Sequence, residues 1–279
     1  MLAETRALFE LNSSLLLSPL LLRAPKGDGH PVLALPGFLA SDLSMAPLRR
    51  YLKEIGYDTY AWNMGRNFGG VASKRGALRD LLRRIHESTG RKVSLVGWSL
   101  GGVYARDLAL QMPDMVRVVI TLGSPFAGDI RATNATRLYE ALSGETVDDN
   151  LEIRQAIAGD LPVPATSIYS RTDGIVNWHT SLLRPSETAE NIEVCLASHI
   201  GLGVNPAALW AVADRLAQAE GEFKHFDRSG PFAIAYGPLK MHNPDQSPKV
   251  KGMISNEPAL QLMQDRNRFS RYAPIIMLQ

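Results

Sequence analysis

Along the first 220 residues, short unbroken apolar runs alternate with longer stretches whose apolar residues recur every three or four positions. The short runs cover 30–37, 57–62, 92–97, 117–122, 165–169 and 192–196, and the periodic stretches cover 44–55, 73–88, 101–111 and about 206–219. Apolar runs of this length fit strands buried on both faces, and the amphipathic stretches fit crossover helices between them. The pattern predicts an α/β fold with a mainly parallel central sheet flanked by helices. Crossovers in such a fold are right-handed, and a ligand site sits at the carboxyl ends of the strands.

Three segments break the rhythm. Residues 4–22 read as one or two amphipathic helices lying on the domain, with weak contact to a membrane surface as their alternative use. The run Leu15–Leu22 is too short to span a bilayer, and Glu4 and Glu10 offset Arg6 where an export signal would carry net positive charge. Residues 126–164 contain helical stretches at 135–142 and 151–158 but no strand. Inserted after one sheet strand and before the next, they read as a small helical lid over the strand ends, against a plain helical connection. From Gly221 the composition turns to Gly, Pro, Asn, Asp and Ser, so 221–279 reads as an irregular C-terminal extension packed on the body or on a second copy in a homodimer. Residues 1–220 then form one α/β domain.

Composition narrows the function by exclusion. A hydrophobic fraction of 45% and a charged fraction of 21% suit a soluble globular protein. The net charge is +2, without a dense Lys/Arg run interleaved with aromatics, which argues against a nucleic-acid partner. The single cysteine, Cys195, excludes an intramolecular disulfide and a C-x-x-C metal site. It reads as a small core residue, and a chain without disulfides fits the cytoplasm.

The candidate chemistry lies in Gly97-Trp98-Ser99-Leu100-Gly101, between an apolar strand and a helix. In that setting G-x-S-x-G is a nucleophile elbow, a strained turn that lifts the serine above the sheet over a helix N-terminus. A serine hydroxyl needs a base, and the base needs a group to fix its tautomer. Of six histidines, His199 follows the strand 192–196 on the face that carries Ser99, whereas His30 precedes the first strand at the opposite end. His179 follows Asp173 too soon for a strand to return to the site. Asp173 comes after strand 165–169 in a Ser-Arg-Thr-Asp-Gly turn; Asp129 and Asp160 are not aimed from a strand end. Two backbone donors should face the oxyanion: Leu100 N–H after the nucleophile, and Phe38 N–H in the loop after the first strand, where Gly37 lets the chain turn inward.

These residues, with Leu33-Ala34-Leu35-Pro36-Gly37-Phe38, Thr121-Leu122-Gly123-Ser124-Pro125 and Ser198-His199, make the chain resemble the α/β-hydrolase superfamily, in its lipase-like and carboxylesterase-like branch, over about residues 30–218. Many lipases carry histidine before the glycine of the first loop; this chain has Pro36. The resemblance implies cleavage of a small-molecule or lipid ester by Ser99, His199 and Asp173 through an acyl-enzyme, with no cofactor and no metal. Acyl transfer to an alcohol or amine, or a catalytically silent binding scaffold, are the alternatives. Gly37, Trp98, Arg66 and Asn67 are placed to line the substrate pocket; Trp98 has packing beneath the elbow as its alternative, and Arg66 and Asn67 an exposed turn.

Overall fold

A computed structural model of the chain describes residues 2–128 and 151–238. Six strands form one parallel sheet: β1 (Pro31–Leu35), β2 (Asp58–Ala61), β3 (Val93–Trp98), β4 (Val116–Leu122), β5 (Ala165–Tyr169) and β6 (Ala189–Glu193), in the order β2-β1-β3-β4-β5-β6. The helices are α1 (Arg6–Leu16), α2 (Ser18–Leu21), α3 (Ala46–Glu54), α4 (Val71–Thr89), α5 (Leu100–Gln111), α6 (Leu151–Ala158) and α7 (Pro206–Leu216). Local signals set several of their ends. The Asn205 side chain accepts from the N–H groups of Ala207 and Ala208 ahead of Pro206 at the start of α7, and Gly90 closes α4 with φ 65°.

The sheet is buried on both faces because β1 sends alternate residues to opposite cores. Val32 and Ala34 pack with Leu48 and Leu52 of α3 and Ala208 and Val212 of α7, while Leu33 and Leu35 pack with Leu78 and Leu82 of α4 and Tyr104 and Leu108 of α5. After β1 the chain places β2 on one side and β3 on the other. That reversal opens a crevice at the carboxyl ends of β1 and β3, where ligands bind in open α/β sheets.

The sixth strand corrects the sequence reading. The apolar run 192–196 suggested a strand there, but β6 ends at Glu193. Val194 and Ala197 are buried in the turn that follows, Val194 bridging to Tyr236, and Cys195 is only half-buried. Burial alone produced the apolar run. The true edge strand, Ala-Glu-Asn-Ile-Glu, accommodates Glu190 by pairing it with buried Arg215 at 2.5 Å.

Of the two N-terminal helices, α2 buries Leu21 in the core, while α1 turns polar residues inward. The buried residues of α1 are Glu10 and Ser14, while Phe9 is 74% exposed and Leu16 81%. Within 126–164, α6 lies against α5, with the Ile157 carbonyl accepting from Arg106 Nε at 2.6 Å. The helix expected at 135–142 lies outside the described residues, as does the extension from 239 onward. Phe226, Phe232 and Tyr236, earlier in the extension, are buried in the core shared by α3 and α7. Among the described residues, no helix is long and apolar enough to cross a membrane.

Candidate active site

Five loops meet at the carboxyl end of the sheet because the strand ends are level. Leu35 pairs with Gly97, Trp98 with Leu122, Leu122 with Ile168, and Tyr169 with Glu193. Ser99 turns the chain from β3 into α5 with φ 53° and ψ −123° while its N–H still bonds the Leu122 carbonyl at 2.8 Å. Such a conformation costs a non-glycine residue on the order of 1–3 kcal/mol. Glycines make room for the turn: a Cβ on Gly97 would lie 2.4 Å from the Gly101 carbonyl carbon, and one on Gly101 2.0 Å from the Leu35 oxygen. Leu100 occupies the first position of α5, where an N–H has no acceptor inside its own helix.

His199 Nε2 lies 3.0 Å from Ser99 Oγ, and His199 Nδ1 lies 2.6 Å from Asp173 Oδ2. The other carboxylate oxygen, Oδ1, accepts from the N–H groups of Ile175 (2.9 Å) and Val176 (2.7 Å), which fixes the acid's orientation. A carboxylate can only accept, so Nδ1 donates to it and Nε2 presents its lone pair to the serine hydroxyl. Both partners are buried while Ser99 is partly exposed. Trp98 takes the packing role: its indole N–H donates to the His199 carbonyl at 3.0 Å, with the two rings 5.9 Å apart. Gly123, whose role the sequence did not disclose, has φ 55°, and a Cβ there would press within 3.2 Å of both Asp173 Oδ2 and His199 Nδ1.

The loop after β1 approaches Ser99 closely. A Cβ on Gly37 would come within 3.0 Å of the Ser99 Cβ, and Phe38 follows, packed against the core shared by α4 and α5. Asn67 is not a pocket wall. It is fully buried, and it fastens this loop by donating from Nδ2 to the Pro36 carbonyl (2.9 Å) and accepting from Leu39 N–H on its own carbonyl (2.6 Å). Its Oδ1 accepts from Tyr104 Oη (2.9 Å) and Gly69 N–H (3.0 Å). Arg66, one residue earlier, is exposed.

The alternatives lie elsewhere. His179 stacks on Trp178 in a short 3-10 turn, Asp160 pairs with Arg184 at the surface, and Asp129 is outside the described residues. Two further carboxylates reach the site from the N-terminal segment, Glu4 and Glu10. Their sequence signal was the polar pair Glu10 and Ser14, one helical turn apart, in an otherwise leucine-rich stretch. Among the described residues, no group of three His, Cys, Asp or Glu converges to hold a metal ion.

No protein-family model matches the chain, nor does any curated protein. Solved structures do. Aspergillus fumigatus lipase B superposes with a TM-score of 0.56 at 18% identity over 70% of this chain, and this chain spans about half of that one (53%). Bacillus licheniformis lipase BlEst2 gives 0.52 at 17% identity, covering 70% of this chain and 93% of its own. A monoacylglycerol lipase from Paleococcus ferrophilus gives 0.51 at 14%, covering 70% and 96%. A parallel sheet of this order, a serine elbow at its switch point and these neighbours together identify the fold of the chain as that of the α/β-hydrolases.

Proposed function

We propose that the protein is a serine hydrolase of carboxylic esters. The observation that carries this reading is the unbroken hydrogen-bond chain Asp173–His199–Ser99, ending in a partly exposed hydroxyl on a strained elbow. Ser99 Oγ attacks the ester carbonyl and passes its proton to His199 Nε2, while Asp173 stabilises the imidazolium through Nδ1–H. The tetrahedral oxyanion is held by the N–H groups of Leu100 and Phe38. Collapse expels the alcohol, which takes the proton from Nε2, and leaves an acyl group on Oγ. Water, deprotonated by the same nitrogen, then releases the acid. The lipase names of the structural neighbours support an ester as substrate.

The test uses p-nitrophenyl esters of increasing chain length and a fluorophosphonate probe. Wild type should turn over the esters and be labelled on Ser99, and Ser99→Ala should lose both by about 10^4-fold or more. Undiminished hydrolysis in Ser99→Ala would place the nucleophile elsewhere.

A further inference from the structure

The loop that carries His199 is long, and the sheet holds it at two points, Val194 N–H on the Tyr169 carbonyl (2.8 Å) and the Trp98 indole N–H on the His199 carbonyl (3.0 Å). Five residues, 194–198, lie between the end of β6 and His199, and Leu196 among them has φ 59° and an exposed side chain. Around His199 itself, further support comes from the N-terminal segment. Glu4 Oε1 accepts from Gly174 N–H (3.0 Å) and His199 N–H (3.3 Å), and its Oε2 accepts from Ile200 N–H (2.9 Å). One carboxylate thus bridges the residue after the acid to the base itself. Glu10, buried to 5% exposure, accepts from Ser198 N–H (2.9 Å) and Oγ (2.6 Å) and from Asn205 Nδ2 (3.3 Å). Ser198 Oγ in turn accepts from Gly201 N–H at 3.0 Å.

The fit is built on both sides. A Cβ on Gly201 would fall 1.2 Å from Glu10 Oε2, so only glycine leaves space for that carboxylate. Ser14 Oγ donates to the Val204 carbonyl, and Arg6 Nη2 donates to Thr172 O at 2.9 Å. No apolar residue of α1 is buried, so the helix is attached through polar contacts directed at the two loops that hold the acid and the base. Leu8, Leu15 and Leu16 of α1 are exposed, whereas Leu21 of α2 enters the core.

We infer that the N-terminal segment is a brace for the catalytic histidine, with Glu4 and Glu10 as positioning residues, an inference that rests on the ester-hydrolase reading above. The carboxylates fix the main chain on either side of His199 so that Nε2 stays within hydrogen-bond reach of Ser99. Loss of the brace lets the imidazole wander, and a displacement of about 1 Å costs up to about 100-fold in rate.

The experiment compares full-length wild type, Glu4→Ala, Glu10→Ala and the double variant. It measures p-nitrophenyl acetate turnover per fluorophosphonate-titrated site, the melting midpoint, and the downfield proton resonance of His199 Nδ1–H. Each single variant should lose about 10-fold in kcat and the double variant about 100-fold, with KM changed less than about twofold. The Nδ1 proton should broaden or vanish while the protein stays folded. Glu4→Gln, which keeps one acceptor oxygen, should recover part of the loss. A double variant with wild-type kcat per site and an unaltered Nδ1 resonance overturns the brace and leaves the hydrolase reading standing. A wild type that neither turns over ester nor takes the probe overturns the hydrolase reading, and the Nδ1 resonance then still decides whether the brace holds the imidazole.

Discussion

Strand β3 carries a Ser–His–Asp chain at each end, and the two are nearly superimposable in their distances. At the carboxyl end, Ser99 to His199 is 3.0 Å and His199 to Asp173 is 2.6 Å; at the amino end, Ser94 to His30 is 2.8 Å and His30 to Asp28 is 2.5 Å. Five residue steps along the chain, about 16 Å, separate the two serines. Everything around the hydrogen bonds differs. Ser94 and His30 are fully buried, Ser94 lies within β3 paired to Val32 and Val118, just after a register shift against β4, and the half-exposed Asp28 is tied to Arg91 and Arg117. Ser99 has a left-handed backbone, a helix N-terminus beneath it and an open hydroxyl. A hydrogen-bonded triplet is one way to satisfy a buried imidazole. Strain, backbone donors and access are what distinguish a nucleophile from it.

The largest effects should therefore separate the two ends completely. Ser99→Ala should remove the proposed ester hydrolysis, whereas Ser94→Ala should leave kcat within about twofold, because Ser94 is fully buried. Comparable losses in the two variants would erase the distinction. Next, Asp173→Asn should cost about 10^3- to 10^4-fold in kcat, since an amide facing Nδ1 selects the wrong imidazole tautomer. Asp28→Asn makes the same chemical change to the other triplet and should leave kcat alone. Steady-state kinetics on one soluble ester suffice for all four variants.

How much of this was legible in the sequence depended on whether a property was local. The elbow was readable because strand, turn and helix are contiguous and the glycine spacing is steric: Gly97 and Gly101 stand where a Cβ would collide. The partners were readable because strand ends share one face, which sent Asp173 and His199 to Ser99 and His30 to the far end. Asn67 was not readable, because a loop asparagine looks the same whether it faces a ligand or fastens Pro36. Glu4 and Glu10 were hidden by distance, since their partners lie 170 to 196 positions away. Glu10 lies on a helix that reverses the usual pattern. Leucines normally mark the inward face, and here the inward face is set by main-chain donors that require carboxylates. The displaced end of β6 has the same origin, since buried turn residues such as Val194 and Ala197 imitate a strand.

The smallest expected effect on activity, and the one that sharpens the comparison through stability, concerns His30. Burial pulls its imidazole below the usual value of 6.5, with Asp28 opposing and Arg117 adding to the shift, so folding disfavours its protonated form. The unfolded chain takes up a proton there more readily than the folded chain, so this contribution is complete above pH 6.5 and is lost as pH falls below it. Desolvation alone would raise Asp28, but the hydrogen bonds from His30 and Arg91 outweigh it and hold its carboxyl below the ordinary range. Its share persists until pH falls below about 4. His30→Asn should lower stability at neutral pH by about 1–3 kcal/mol, through the buried hydrogen bond lost to Ser94. It should also flatten the decline in melting midpoint between pH 7 and pH 5, because the group that titrates in that window is gone, with kcat at pH 7 unchanged. Melting curves that stay parallel across that range would mean that His30 is not the acid-labile group of the amino end. A fall in kcat would mean that the two ends of β3 are coupled after all.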